Sequence, residues 1–159
     1  MSYRLSLLDK SPVAPGEGAE AALARTVALA RRAEQLGYHR YWVAEHHAAP
    51  GLAGAAPEAL VAFLLASTSR IRIGSGGVML QHYSPYKVAE TFNVLAALAP
   101  GRVDLGVGKA PGGLPLSTRA LQWGRAPVAS CSGRVSRVPN WRPALAGISS
   151  MPATSTAIQ

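Results

Sequence analysis

Short apolar segments alternate with longer amphipathic ones along the first three quarters of the chain. The apolar segments have the length and composition of buried strands and lie at residues 4–8, 40–44, 71–74 and 102–107. Between them, three segments carry apolar residues at helical spacing: 21–36, 57–67 and 84–98. In the first of these, Leu23, Val27 and Ala30 form the predicted buried stripe. The pattern predicts an alternation of strands and helices.

Turn and cap residues support these boundaries. Gly37 follows the first predicted helix, where a left-handed residue commonly ends a helix. Pro57 and the pair Ser84-Pro85 stand where the second and third helices begin, because proline suits a first helical position. We expect Ser75-Gly76-Gly77 to form a tight turn directly after the third strand.

Successive strand starts are separated by about 31–36 residues, the length of one βα unit. Two α/β architectures use this alternation: an open doubly wound sheet and a (β/α)8 barrel. A complete barrel needs about 250 residues, so four units amount to half of one. We expect residues 1–121 to form one domain and residues 122–159 to form a separate tail.

The predicted tail has neither helical nor strand periodicity and consists mostly of Ala, Ser, Arg, Pro, Gly and Thr. This composition is typical of disorder, and also of a GC-rich gene translated out of frame. It contains four arginines and no acid, and so supplies half of the net charge of +8. Nucleic-acid binding through the tail is therefore an alternative. We do not expect it from residues 1–121, which carry no recognised nucleic-acid motif.

The cysteine content and the apolar runs limit the kinds of site and the cellular location that we expect. Cys131 is the only cysteine, which excludes an internal disulfide and a cysteine-based zinc site. No apolar run approaches the roughly 20 residues of a membrane span. The first residues lack the basic and apolar segments of a secretion signal. We therefore expect a cytoplasmic protein with no membrane partner.

The strongest candidate for chemistry is Glu45-His46-His47, which follows the second strand. Active sites of βα proteins lie at this end of the strands, and imidazole exchanges protons near neutral pH. A capping cluster or a buried structural histidine is the alternative. We expect no metal, because adjacent histidines in a strand point to opposite faces. The polar cluster 82–85 is a weaker candidate.

Two glycine-containing segments could contact a ligand through their backbone. Ser75, Gly76 and Gly77 follow the third strand, and Gly108 and Lys109 follow the fourth. Glycine lets a flat ligand approach closely because it has no Cβ atom. A plain turn and a solvated lysine are equally consistent with these residues, and no phosphate-binding fingerprint is present.

Together these segments resemble the bacterial luciferase-like family of flavin-dependent monooxygenases. The resemblance covers about residues 3–121 and is carried by five stretches in the family's order: 36–47, 50–54, 73–80, 83–90 and 100–108. It implies the first four units of a (β/α)8 barrel, in which reduced FMN reacts with O2 to give a C4a-hydroperoxide. That species oxygenates a small organic substrate, such as an aldehyde.

The resemblance also assigns roles to the candidate residues. His46 matches the catalytic histidine, with Glu45 and His47 in support. Gly76-Gly77 matches a cis peptide beside the flavin ring, with Ser75 and Gly108 nearby. Lys109 stands where the family usually has arginine, and lysine cannot supply the same two-pronged contact.

Partners follow from the same resemblance: a flavin reductase as electron supplier, O2 and the organic substrate. A homodimer is also expected. Because the family's phosphate contacts come largely from later strands, we expect this chain to be inactive by itself. Two alternatives are a deazaflavin-dependent oxidoreductase of the same superfamily and a non-catalytic interaction fragment.

Overall fold

The computed structural model describes residues 3–122, and the predicted tail therefore lies outside the described residues. Within this range, parallel strands alternate with helices. The strands are β1 (Ser6–Asp9), β2 (Arg40–Val43), β3 (Arg72–Met79) and β4 (Val103–Gly108). The helices are α1 (Ala19–Gln35), α2 (Pro57–Ser67), α3 (Pro85–Leu98) and α4 (Pro115–Leu121), with a 3-10 turn at Leu80–His82.

The strands form one parallel sheet in the order β1-β2-β3-β4. Leu8 pairs with Trp42, and Trp42 pairs with Gly74, so the register runs continuously across the first three strands. Within the described residues the order never reverses, whereas a doubly wound sheet changes direction at a switch point. The observed order is that of successive units of a (β/α)8 barrel.

The core lies between one face of the sheet and the helices. Tyr41, Val43 and Ile73 are fully buried there, and Val61 and Leu64 of α2 pack against them. Because side chains alternate along a strand, the intervening residues point to the opposite face. We call that opposite side the inner face; it carries Leu8, Arg40, Trp42, Gly74, Gly76 and Asp104.

Two predictions about strands were wrong. The first strand is not buried over residues 4–8: it runs Ser6–Asp9, and Leu8 is 53% exposed because it lies on the inner face. Ser75-Gly76-Gly77 is not a tight turn, because β3 continues through it to Met79. The glycines are needed there since β4 lies so close: a Cβ on Gly77 would stand 2.8 Å from the carbonyl carbon of Gly106.

The helix predictions were confirmed in position, with differences in detail. Gly37 has a φ of +77° after α1, and Pro85 begins α3 after Ser84. The buried stripe of α1 consists of small residues, namely Ala22, Thr26, Ala30 and Ala33, rather than Leu23 and Val27. Thr26 is drawn inward because its hydroxyl donates a hydrogen bond to Asp9 (2.6 Å). Helix α4 was not predicted.

Candidate active site

The sequence candidates gather at the carboxyl edge of the sheet. Strand β2 ends at Val43, and Glu45-His46-His47 follow it directly. The glycines of β3 and the end of β4 lie on the neighbouring strands, since Val43 pairs with Ser75 and Met79 pairs with Gly108. Parallel pairing thus brings the candidate segments to one side of the fold, as βα topology requires.

Glu45 organises this edge. Its side chain is fully buried, and its Oε1 accepts hydrogen bonds from His47 Nε2 (2.5 Å) and the Tyr83 hydroxyl (2.7 Å). Its Oε2 accepts the Met79 backbone N–H (2.8 Å). A buried carboxylate is tolerated only with such donors. Burial and the bond to Glu45 raise the pKa of Tyr83 far above its ordinary 10, so this hydroxyl keeps its proton.

His47 connects the loop after β2 to the loop after β4. Its backbone N–H donates to the Gly112 carbonyl (2.6 Å), and its ring meets the His82 ring edge-on at 5.8 Å. His82 Nε2 in turn lies 2.8 Å from the Pro111 carbonyl. Since a carbonyl only accepts, that nitrogen of His82 carries the proton. These contacts make His47 a structural connection as much as a chemical group.

His46 differs from Glu45 and His47, whose side chains bond to each other. Its backbone N–H donates to the Gly54 carbonyl (2.8 Å), which fixes the loop, but its ring nitrogen Nδ1 is buried without a hydrogen-bond partner among residues 3–122, as are Nδ1 of His82 and Oε1 of Gln81. Buried polar atoms are normally paired, so an unpaired one calls for an explanation. A ligand that exchanges a hydrogen bond with Nδ1 would supply the missing partner.

The glycine segment presents bare backbone on the inner face. The Gly76-Gly77 peptide is cis, as the resemblance implied. Gly76 is exposed, and a Cβ there would stand 3.2 Å from Leu8 Cδ1 and 3.3 Å from Trp42 Cβ. This place suits a flat ring, which a larger residue would push away.

The other predicted ligand contacts have different surroundings. Ser75 is fully buried, and its hydroxyl donates to the Gly106 carbonyl (2.9 Å), which joins β3 to β4. Gly108 is partly buried at the end of β4, and Lys109 is exposed beyond it. The Lys109 carbonyl accepts a hydrogen bond from Gln81 (3.2 Å), so its backbone is held while its ammonium group faces solvent.

Sequence reasoning gave too little weight to two groups. Tyr83 and His82 belong to the Glu45 cluster, although the cluster at 82–85 was considered only a weak candidate. Asp9 lay just beyond the predicted first strand and was not a candidate, yet it ends β1 buried and accepts hydrogen bonds from Ser11 N, Thr26 and Tyr41 (2.8, 2.6 and 2.7 Å). An acid directly after apolar strand residues was the available signal.

Neither a metal cluster nor a membrane helix occurs in the described range. No three His, Cys, Asp or Glu side chains within residues 3–122 lie close enough together to hold a metal ion. None of the helices in this range has the length and apolar character that crossing a bilayer requires.

A model of the luciferase-like monooxygenases matches residues 1–118, most of the chain. The chain belongs to the luciferase-like monooxygenase family. The N-acetyl-S-alkylcysteine monooxygenase of Bacillus subtilis is 65% identical over 119 residues, which are 75% of this chain and 36% of that protein. The chain therefore spans about a third of the length of this relative.

Solved structures agree with the family assignment. Apo-MsnO8 superposes with a TM-score of 0.75 at 47% identity, over 79% of this chain and 38% of that one. The oxygenating constituent of 3,6-diketocamphane monooxygenase from Pseudomonas putida, solved with FMN, superposes with a TM-score of 0.68 over 76% of this chain and 32% of that one. At 23% identity, this second likeness shows the fold alone. The half-barrel expectation is thereby confirmed.

Proposed function

We propose that this chain supplies the flavin-ring side of a flavin-dependent monooxygenase site, using reduced FMN, O2 and a small organic substrate such as an aldehyde. The observation that carries the proposal is the unpaired, buried His46 Nδ1 in the loop after β2, the strand next to the glycine segment. The family supports monooxygenase chemistry, and the Pseudomonas enzyme of the same fold binds FMN.

The described residues fit a flavin ring on two counts. Exposed Gly76 leaves room above the inner face, flanked by Leu8 and Trp42, which offer apolar surface to a flat aromatic system. His46 Nδ1 offers a polar group with no internal partner among the described residues. Gly76, Gly77 and His46 are therefore the residues that would hold the ring, with Gly108 and Lys109 at the end of the next strand.

When bound, reduced flavin supplies the two electrons that activate O2. His46 would exchange a proton through Nδ1 with the reacting oxygen or with the ring. Glu45 holds the loop that carries His46 in place, because its carboxylate accepts hydrogen bonds from His47, from Tyr83 and from the Met79 backbone. Tyr83 keeps its proton and serves as a donor to Glu45. The electrons would come from a separate flavin reductase.

The test is oxygen reactivity of flavin bound to the 159-residue chain. FMN is reduced anaerobically, titrated against the protein, and mixed with oxygenated buffer while absorbance is followed. We expect saturable binding and a reoxidation rate that differs at least tenfold between the wild type and His46→Ala. Identical rates for the two proteins, both with flavin bound, would contradict the role of His46. Tighter binding of a deazaflavin than of FMN would replace the proposed cofactor.

A further inference from the structure

A second cleft lies at the opposite edge of the sheet, where the chain enters β1, β2 and β3. It has a volume of about 530 Å³. Its polar lining comes from Arg4, Glu34, His39, Arg70 and Arg72. It lies at the opposite end of the strands from Glu45, which follows β2, and from Gly76 and Gly77 in the second half of β3. The proposed flavin site therefore does not account for it.

The cleft carries an excess of positive charge. Three guanidinium groups line it against one carboxylate, that of Glu34. That carboxylate is already engaged, because its Oε1 accepts the backbone N–H groups of residues 69, 70 and 71 (2.9, 2.6 and 2.9 Å). Partial burial raises the pKa of Glu34, but these three N–H groups outweigh it and hold the pKa below 4.5. Within the described residues Glu34 forms no salt bridge with these arginines, although the charge of Arg70 also lowers its pKa.

The three arginines are not equivalent. Arg72 forms a two-pronged pair with Asp104, with distances of 2.8 and 2.6 Å from Nε and Nη2. Within residues 3–122, the guanidinium groups of Arg4 and Arg70 take part in no hydrogen bond or salt bridge. Two positive groups at the cleft are therefore free to bind an external anion, and guanidinium matches phosphate oxygens in geometry.

The surroundings of His39 include the same arginine charges. Burial lowers its pKa, and the positive charges of Arg40, Arg4 and Arg72 lower it further. Only Asp104 acts in the other direction. The cationic form of His39 is thus disfavoured first by burial and then by these arginines.

Apolar groups complete the wall. Leu5 and Leu36 are 64% and 59% exposed, and Tyr38 and Ile71 stand beside them. We propose that this cleft binds a small organic phosphate monoester, with the phosphate between Arg4 and Arg70 and the organic part against Leu5, Leu36 and Tyr38. Two unpaired guanidinium groups match a phosphate dianion better than a carboxylate. The proposal does not depend on the flavin site.

The test is calorimetric titration of the chain with phenyl phosphate, with benzoate and inorganic phosphate in parallel. We expect one saturable site for phenyl phosphate, with binding weakened about tenfold by Arg4→Gln or Arg70→Gln. Neither side chain makes an internal bond in the described range, so both variants should keep the wild-type melting temperature. Arg32→Gln on the outside of α1 and Arg119→Gln on α4 remove the same charge elsewhere and should change affinity less than twofold.

The other possible results of this titration would contradict the proposal. An equal loss in all four variants would mean diffuse attraction by a basic protein and would overturn the site. A loss confined to Arg119→Gln would place the ligand at the opposite edge. Benzoate binding as tightly as phenyl phosphate would contradict the preference for a dianion, and absence of saturable binding would reject the proposal altogether.

Discussion

The two edges of the sheet hold buried acids in different ways. At the carboxyl edge, Glu45 is fully enclosed by an imidazole, a hydroxyl and a backbone amide. At the amino edge, Asp104 is half-buried and paired with Arg40 (2.7 Å) and Arg72. The first arrangement fixes the loops beside the buried, unpaired Nδ1 of His46, and the second balances charge beside a basic cleft. We infer that Glu45 at the carboxyl edge acts mainly by holding loops in position, and that Asp104 at the amino edge acts mainly through its charge.

Removing the Glu45 carboxylate should have the largest effect on stability. Glu45→Ala removes the acceptor of three partly buried hydrogen bonds, and we expect a loss of about 3–4 kcal/mol in the free energy of unfolding. Urea unfolding followed by circular dichroism measures it. Glu90→Ala truncates an exposed carboxylate paired with Lys87 (3.1 Å) and should cost about 0.5 kcal/mol or less. Equal losses in the two variants would refute the central position of Glu45.

Neutralising Asp104 should have a smaller and pH-dependent effect. Burial raises the pKa of Asp104, but hydrogen bonds from Arg72 and Arg40 outweigh it and hold the pKa below 3.8. A carboxyl whose pKa is lower when folded stabilises the protein above its unfolded pKa and loses that contribution as the pH falls. We expect Asp104→Asn to cost about 2 kcal/mol at neutral pH.

The pH dependence separates charge from packing at this position. The difference between wild type and Asp104→Asn should shrink as the pH is lowered from about 5 towards about 2, because the wild-type carboxyl is then protonated. Urea unfolding of both proteins across this range is the measurement. A difference that stays constant would show that shape, rather than charge, makes Asp104 important.

Glu34 should give the smallest of the three effects. Glu34→Gln keeps an acceptor for the N–H groups of residues 69–71 but removes the charge, so we expect a loss of about 0.5–1 kcal/mol for this partly solvated group. Thermal unfolding detects it. Glu17→Gln, which removes an exposed partner of Arg25, should change stability less. The reverse order would mean that the loop between α2 and β3 does not depend on Glu34.

The half barrel was implied by the family resemblance, because periodicity alone left a doubly wound sheet as an alternative. Local periodicity was sufficient to predict the alternation of elements and the edge at which the candidate residues gather. It failed at the glycines of β3, because glycine permits both a turn and a close strand contact. Only the position of Gly106 on the next strand decides between them.

The hydrogen-bond partners of the site residues could not be predicted from the sequence either. Glu45 and His47 are two residues apart and could be paired by inspection, but the bond from Tyr83 spans 38 positions. Asp9 meets Thr26 and Tyr41 only after β1 and β2 pair and α1 packs on them. Contacts of this length depend on the assembled fold, which local patterns do not contain.

The most direct test of the account is an FMN titration of Gly76→Val beside Gly51→Val. A side chain at Gly76 would contact Leu8 and Trp42 and occupy the inner face, whereas a Cβ at Gly51 would meet nothing within 4 Å. Flavin fluorescence gives the affinity, and thermal unfolding confirms that both variants remain folded. We predict saturable binding to wild type and Gly51→Val, and binding at least tenfold weaker for Gly76→Val. Equal affinity of the two folded variants would contradict a flavin seated on the inner face.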